Sequence, residues 1–450
     1  MIIAKIALGL FGLGIVVFVH ELGHFLAARL SGIDVEAFSI GWGNPILKKK
    51  VGAVEYRLGM FPIGGYCKMR GENEFKEAWE NNSEGIKPVK GTFFGANPWR
   101  RIVVCFSGPL FNVLFAALVL SFIWGIGFEA QALDSRIVLL SDLTAGKVYP
   151  ANEAGLKTGD RIIEINGKKI TYYHEVQENI ATNPEKLLPV AVNRQGETVM
   201  LYVKPYLDKD TGAGIIGVYP WNDPVIVGLV PDGDAAIAGL LPGDRVIRAN
   251  GETVTNTVEL MKALEARSGV AEIDYIRDGA ENKAEVVISR PNGEGLGIIW
   301  PRIQYKTPNL SPPAALEKGI SESWKTLVIS LRSLGLLFKG IKLTKAVSGP
   351  IRITYMVGDI AAEGFGQSFG TGLRSMAELL ALISVILCVM NMLPLPILDG
   401  GMIILFIVEI LRRKPLHPRA INVFQTVGIA LIFGLMIFAV FGDILYLSRR

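Results

Sequence analysis

Four long apolar runs punctuate the chain. Residues 2–19 are apolar apart from Lys5 and continue through His20-Glu21-Leu22-Gly23-His24 into residues 25–30. No convincing cleavage site follows, so residues 2–30 read as one helix with its apolar part in a membrane rather than as a secretory signal. Residues 102–126, 373–393 and 421–447 supply three further spans, the third weaker at its start. Each is long enough to cross a bilayer. Each must be helical, because hydrocarbon offers no partner to backbone N–H and C=O groups.

The central region has a different rhythm. AGLKTGDRIIEINGKKI begins at Ala154, and AGLLPGDRVIRANGETV begins at Ala238. Gly159 recurs as Gly243, and Gly167 recurs as Gly251 at the same offset. A second echo follows each copy, from Gly214 and from Gly295. Two units of this size are tandem domains rather than a solenoid. Each has an alternating stretch ending in Asn-Gly, a strong hairpin signal. The pattern A-G-L-x-x-G-D-x-I/V-I-x-x-N-G resembles PDZ domains, over residues 128–305. That resemblance implies a groove that adds an extended peptide to a sheet edge. Domains that merely fill space and bind nothing are the alternative.

Beyond the repeat, residues 307–370 read as a linker and an amphipathic helix. Trp324, Leu327, Val328, Leu331, Leu334 and Phe338 recur at helical spacing, with Glu322, Lys325, Arg332 and Lys339 between them. Such a helix either lies on the outer membrane surface or packs against the repeat pair.

Charge orients this arrangement. The formal net charge is only +4, which gives no reason to expect a nucleic-acid partner. Its placement is more informative. Lys48, Lys49, Lys50, Lys68, Arg70, Arg100 and Arg101 follow the first span, and Arg412, Arg413, Lys414 and Arg419 fall between the third and fourth. Both loops are therefore expected in the cytoplasm, with the repeats and both termini outside. Arg449 and Arg450 run weakly against this. The three cysteines, Cys67, Cys105 and Cys388, lack metal-binding spacing; the last two read as small buried hydrophobes. His174 and His417 read as ordinary surface residues.

The chemistry concentrates at two places. His20 and His24 stand four residues apart on a predicted helix, so both imidazoles reach one metal. Glu21 lies beside them, placed to take a proton from water activated by the metal and hand it to a leaving amine. A catalytic zinc takes three protein ligands and keeps an open position. The third span ends in N-M-L-P-L-P-I-L-D-G-G, where Asp399 is a carboxylate in a broken, apolar stretch. Asp399 is the candidate third ligand; a helix-capping or turn role is the alternative.

H-E-x-x-H in the first span and N-x-x-P-x-P-x-L-D-G in the third resemble the site-2 protease family of intramembrane zinc metalloproteases, over essentially the whole chain. The resemblance implies Zn2+ held by His20, His24 and Asp399, with Glu21 as base and Asn391 helping to place substrate. Residues 54–69 alternate, pass Pro62, Gly64 and Gly65, and alternate again, which reads locally as a β-hairpin. In the family this region resembles a membrane-associated β-element whose edge pairs with unwound substrate, making Gly64 and Gly65 candidate substrate-binding positions. Gly108-Pro109-Leu110-Phe111-Asn112 matches a further family pattern, and Asn112 is expected to bond to a neighbouring helix.

The expected fold is a multi-domain membrane protein. A bundle of four transmembrane helices carries a membrane-associated β-hairpin and two extracytoplasmic, mainly-β PDZ domains. The expected divisions are 1–127, 128–221, 222–306, 307–370 and 371–450. The implied setting is the bacterial inner membrane, with the active site facing the cytoplasm. The implied substrates are single-span membrane proteins of the anti-sigma factor type after a first cut, and remnant signal peptides, in regulated intramembrane proteolysis. The competing reading is a non-catalytic PDZ-bearing membrane adaptor, which the presence of Glu21, both histidines and Asp399 disfavours.

Overall fold

The computed structural model describes residues 2–144, 146–265, 269–288, 296–337 and 350–447. They form two compact units, one of Met1–Phe128 with Pro308–Arg450 and one of Glu129–Thr307.

In the first unit, α1 (Ile2–Leu30) leads into two long strands, β1 (Val35–Val51) and β2 (Val54–Met69). Then follow α2 (Glu72–Glu80) and α3 (Pro98–Ile126). After the second unit the chain returns as α4 (Pro312–Leu337), α5 (Pro350–Gln367) and α6 (Phe369–Asn391). It ends with α7 (Asp399–Arg412) and α8 (Pro418–Leu447). Among the described residues, four helical stretches are long and apolar enough to cross a membrane: Ala7–Leu30, Pro98–Ile126, Phe369–Asn391 and Pro418–Asp443. Their starts are locally encoded. The Asn97 side chain accepts from the Trp99 N–H, with Pro98 at the first helical position. The Ser368 hydroxyl accepts from the Thr371 N–H.

Small residues let the helices approach closely. A Cβ on Gly12 meets the Leu380 side chain at 2.8 Å, and one on Gly23 runs into the Ser107 carbonyl. Val16 packs with Met376 and Leu380, and Ala116 with Ala381 and Val385. Where lipid is as apolar as the core, such packing must supply helix association.

Three expectations need correction. The arms of residues 54–69 do not pair with each other. Residues 37–40 of β1 are partnered with residues 55–58 and also with residues 65–68, so β1 lies between the two arms. The chain reverses at Gly52, with φ 62°, and again between residues 58 and 65, where Gly64 has φ 82°: residues 55–58 run along residues 37–40 in the same direction and residues 65–68 in the opposite one. Second, α4 is not a solitary surface helix. Its Gly319 fits against Ala117 and Ser121 of α3, and Leu327 joins the Ala116 cluster. Leu316, Ile320, Trp324 and Leu331 remain exposed along its other side. Phe338 and Lys339, read as part of this helix, lie outside the described residues, as do Gly295, Arg449 and Arg450. Third, the stretch between the third and fourth spans is not merely a loop but contains α7.

The second unit is built twice from the repeated sequence. Strands Lys168–Lys169, Arg161–Ile165, Leu188–Arg194 and Glu197–Val203 form one four-stranded sheet, beside helix Tyr173–Ala181. Strands Glu252–Thr253, Arg245–Ala249, Val270–Arg277 and Ala280–Val287 form the other, beside helix Thr257–Glu265. Each half has its own core, around Ile162, Ile165 and Val192 and around Val246, Leu260 and Ile273. At both Asn-Gly turns the two residues have positive φ (50° and 77°, then 52° and 81°), as a tight two-residue hairpin requires.

The repeated Gly-Asp has a shared purpose. The Arg194 guanidinium donates to both Asp160 oxygens at 2.8 and 2.7 Å, and Arg277 does the same to Asp244. Burial alone pushes the Asp244 carboxyl up. The Arg277 fork and the Leu241 N–H outweigh it and hold the group below the ordinary 3.8. The Arg248 guanidinium holds Asp274 low in the same way. A lowered carboxyl contributes stability that is present above its ordinary pKa and is lost as pH falls through the folded one. Hydrogen-exchange protection in Val270–Arg277, corrected for intrinsic rate, is expected to stay level from about pH 7 to 5 and to fall below about pH 4. Arg277→Met is expected to lower it already at neutral pH; protection independent of both pH and Arg277 contradicts this.

Candidate metal centre

The last third of α1 carries His20, Glu21 and His24. Both imidazoles are buried, 7% and 8% exposed, and their Nε2 atoms stand 3.1 Å apart. They fit because α3 presents Gly108 to them. A Cβ there strikes the His24 ring and comes within 2.8 Å of His20 Cε1.

Asp399 arrives from the other end of the chain. α6 stops at Asn391, and the chain turns irregularly until α7 begins at Asp399. Ile397 has φ 77°, a region costly for a β-branched residue, and this redirects the chain. Gly400 and Gly401 face the carbonyls of Met392 and Leu395 so closely that a side chain at either has no room. The N-cap of α7 is Leu398, so the Asp399 carboxylate is not spent on capping. Its oxygens lie 3.3 Å from His20 Nε2 and 3.5 Å from His24 Nε2. The start of a helix also favours negative charge.

A buried ion pair sets α7 against α3. Arg101 donates to both Glu409 oxygens at 3.1 and 2.7 Å, and lies over the Phe406 ring at 4.6 Å. Buried charges are tolerated only when paired in this way.

The donor set fits a zinc ion. Donors about 2.0–2.2 Å from a tetrahedral ion stand roughly 3.3–3.6 Å apart. The two Nε2 atoms stand 3.1 Å apart, and each has one Asp399 oxygen beside it, Oδ2 at 3.3 Å from His20 and Oδ1 at 3.5 Å from His24, close to that spacing. The outer ring nitrogens are held as well. The Val104 carbonyl lies 2.8 Å from His24 Nδ1 and can only accept, so Nδ1 carries the proton and Nε2 is free. Among the described residues, His20, His24 and Asp399 are the one group of His, Cys, Asp and Glu side chains convergent enough to share an ion.

The other predicted positions divide. Asn391 Nδ2 lies 3.4 Å from His20 Nε2. β2 passes beside Glu21: a Cβ on Gly65 comes within 3.3 Å of its Cγ. Gly64 instead packs on the Trp42 indole, away from the donors. His174 stacks on Tyr172, and His417 Nδ1 accepts from the Arg419 N–H at the start of α8, so both are ordinary structural side chains. Asn112, expected only to bond to a neighbouring helix, faces His20 Nδ1 at 3.1 Å. A polar residue inside an apolar span was the signal for it, but its partner was not readable.

The model of "Peptidase family M50" matches residues 8–435. The chain belongs to this family, the site-2 proteases. M50 relatives named "Putative zinc metalloprotease" align over nearly their whole length. The protein of Treponema pallidum is 35% identical, covering 98% of this chain and 99% of its own. That of Borreliella burgdorferi is 32% identical, covering 95% and 94%. One from Neisseria meningitidis serogroup A is 31% identical, covering 97% of each. Among solved structures, a PDZ domain of an SdrC-like protein from Listeria monocytogenes covers 17% of this chain and 87% of its own at 22% identity, with a TM-score of 0.15, too slight to bear on the fold. This M50 protein is a membrane protein and a zinc metalloprotease.

Gly108→Ala is expected to weaken zinc retention roughly tenfold or more while helix content by circular dichroism stays unchanged. Unaltered zinc retention in that variant would show that the imidazoles do not depend on the close approach of α3.

Proposed function

We propose that this M50 protein is an intramembrane endopeptidase whose zinc is held by His20, His24 and Asp399, with Glu21 as the general base. The observation that carries the reading is the convergence of three donor side chains from opposite ends of the chain, with Glu21 between them and strand β2. When bound, zinc supplies Lewis acidity and brings the pKa of water to about 7. Glu21 takes the proton from the attacking water and returns it to the leaving amine. The Asn391 amide, close to the donors, is placed to orient the scissile carbonyl. The edge of β2 near Gly65 pairs with the substrate backbone, which must be unwound to expose its amides; Gly64 shapes that edge through Trp42.

In this reading the substrates are single-span membrane proteins already cut on the outer side, including anti-sigma type proteins, and remnant signal peptides. The two halves of the second unit are PDZ domains on the outer side, divided near residue 222, and the active site faces the cytoplasm. The basic residues flanking the spans support that orientation. The PDZ pair acts as a size filter against substrates with bulky outer domains.

Glu21→Gln is expected to keep its zinc and to lose cleavage of a tagged single-span reporter by about 10²- to 10⁴-fold. Equal cleavage by both forms would remove Glu21 from the mechanism and favour the adaptor reading. Deleting residues 128–305 is expected to allow cleavage of uncut substrate, and unchanged selectivity would dispose of the filter.

A further inference from the structure

We infer that Asn112 is the positioning residue for His20, and that its amide selects the imidazole tautomer which can bind the metal. The inference rests on the metal centre proposed above. A neutral imidazole has one protonated nitrogen, so an Nε2 that binds an ion requires the proton on Nδ1. His24 meets this through the Val104 carbonyl. His20 has no backbone carbonyl at its Nδ1. It has the side-chain amide of Asn112, 3.1 Å away and fully buried on α3.

An amide is two-faced. With Nδ2 toward His20, Nδ1 accepts and the proton sits on Nε2, where Asp399 Oδ2 at 3.3 Å can receive it. That arrangement gives the His20 Nε2–H a carboxylate partner without an ion. A half-turn of the amide brings Oδ1 to the ring, where it accepts from Nδ1–H and leaves the Nε2 lone pair free. Asn112 Oδ1 is buried with no hydrogen-bond partner, so the half-turn breaks no bond at that oxygen. The empty and filled centres need opposite tautomers of His20, and Asn112 serves both. Its backbone is meanwhile anchored: the Ser384 hydroxyl of α6 donates to the Asn112 carbonyl at 2.9 Å. Ser384 and Asn391 stand seven residues apart on α6, two helical turns along one face. The same helix therefore steadies both the support of His20 and the amide beside it.

The test uses purified full-length wild type, Asn112→Leu, Asn112→Asp, Ser384→Ala and His20→Ala. Zinc affinity is measured by competition with a chromogenic chelator, and the visible spectrum is recorded after Co2+ loading. Asn112→Leu keeps the volume but loses the acceptor, so its zinc affinity is expected to fall roughly 10- to 100-fold with an altered Co2+ spectrum. Asn112→Asp keeps an acceptor and is expected to stay within a few-fold of wild type. Ser384→Ala loosens the Asn112 backbone but leaves its amide in place, and is expected to cost less zinc affinity than Asn112→Leu. Wild-type affinity in Asn112→Leu overturns the inference. Equal losses in the Leu and Asp variants, or in Asn112→Leu and Ser384→Ala, overturn it too, since packing would then account for the effect. Zinc retained in full by His20→Ala would instead sink the metal centre itself, and the inference with it.

Discussion

A buried polar group without a partner is costly, and the centre of this bundle gathers several polar side chains that each need one. His20, His24 and Asp399 meet in an apolar interior, where each must be satisfied by the others, by an ion, or by the surrounding helices. Much of the surrounding packing answers to that requirement. α3 turns Gly108 toward the imidazoles, lends the Val104 carbonyl to one and the Asn112 amide to the other. It also grips α7 through the Arg101–Glu409 pair and Phe406. α3 bears none of the three converging donors, yet it touches everything that places them.

The parts of the centre differ in rigidity by design of the backbone. Two donors share one uninterrupted helix, so their spacing follows from helical geometry alone. The third comes from a stretch with a positive-φ isoleucine and two glycines that admit no side chain. That irregular stretch is what allows α6 and α7 to deliver both Asn391 and Asp399 to the same point. Gly428 of α8 lies close against Pro396 in that stretch, while Ile397 stays exposed.

The second unit follows a different rule. It folds around two hydrophobic cores, and its repeated Arg–Asp forks close each half in the same way. Fork geometry explains why Gly-Asp recurs: the glycine admits the turn, and the aspartate joins the loop N–H to the strand's arginine.

The sequence by itself determined the features that rest on short-range periodicity. The four apolar helices, the Asn-Gly turns, the doubling of the central region and the His20–His24 pair all depend on residues a few positions apart. Asp399 stood out as a carboxylate in a broken apolar stretch, and the family pattern tied it to α1 across most of the chain, which no local rule could do. Tertiary structure alone decided the rest. Residues 54–69 alternate like a hairpin, but only the paired fold shows β1 lying between the arms. The stripe on α4 said that the helix has an apolar side, not that α3 would receive part of it. Asn112 was visible as a polar residue in an apolar span. That it faces His20 follows from the angle at which α3 crosses α1, and contacts between distant segments leave no periodic trace in the chain.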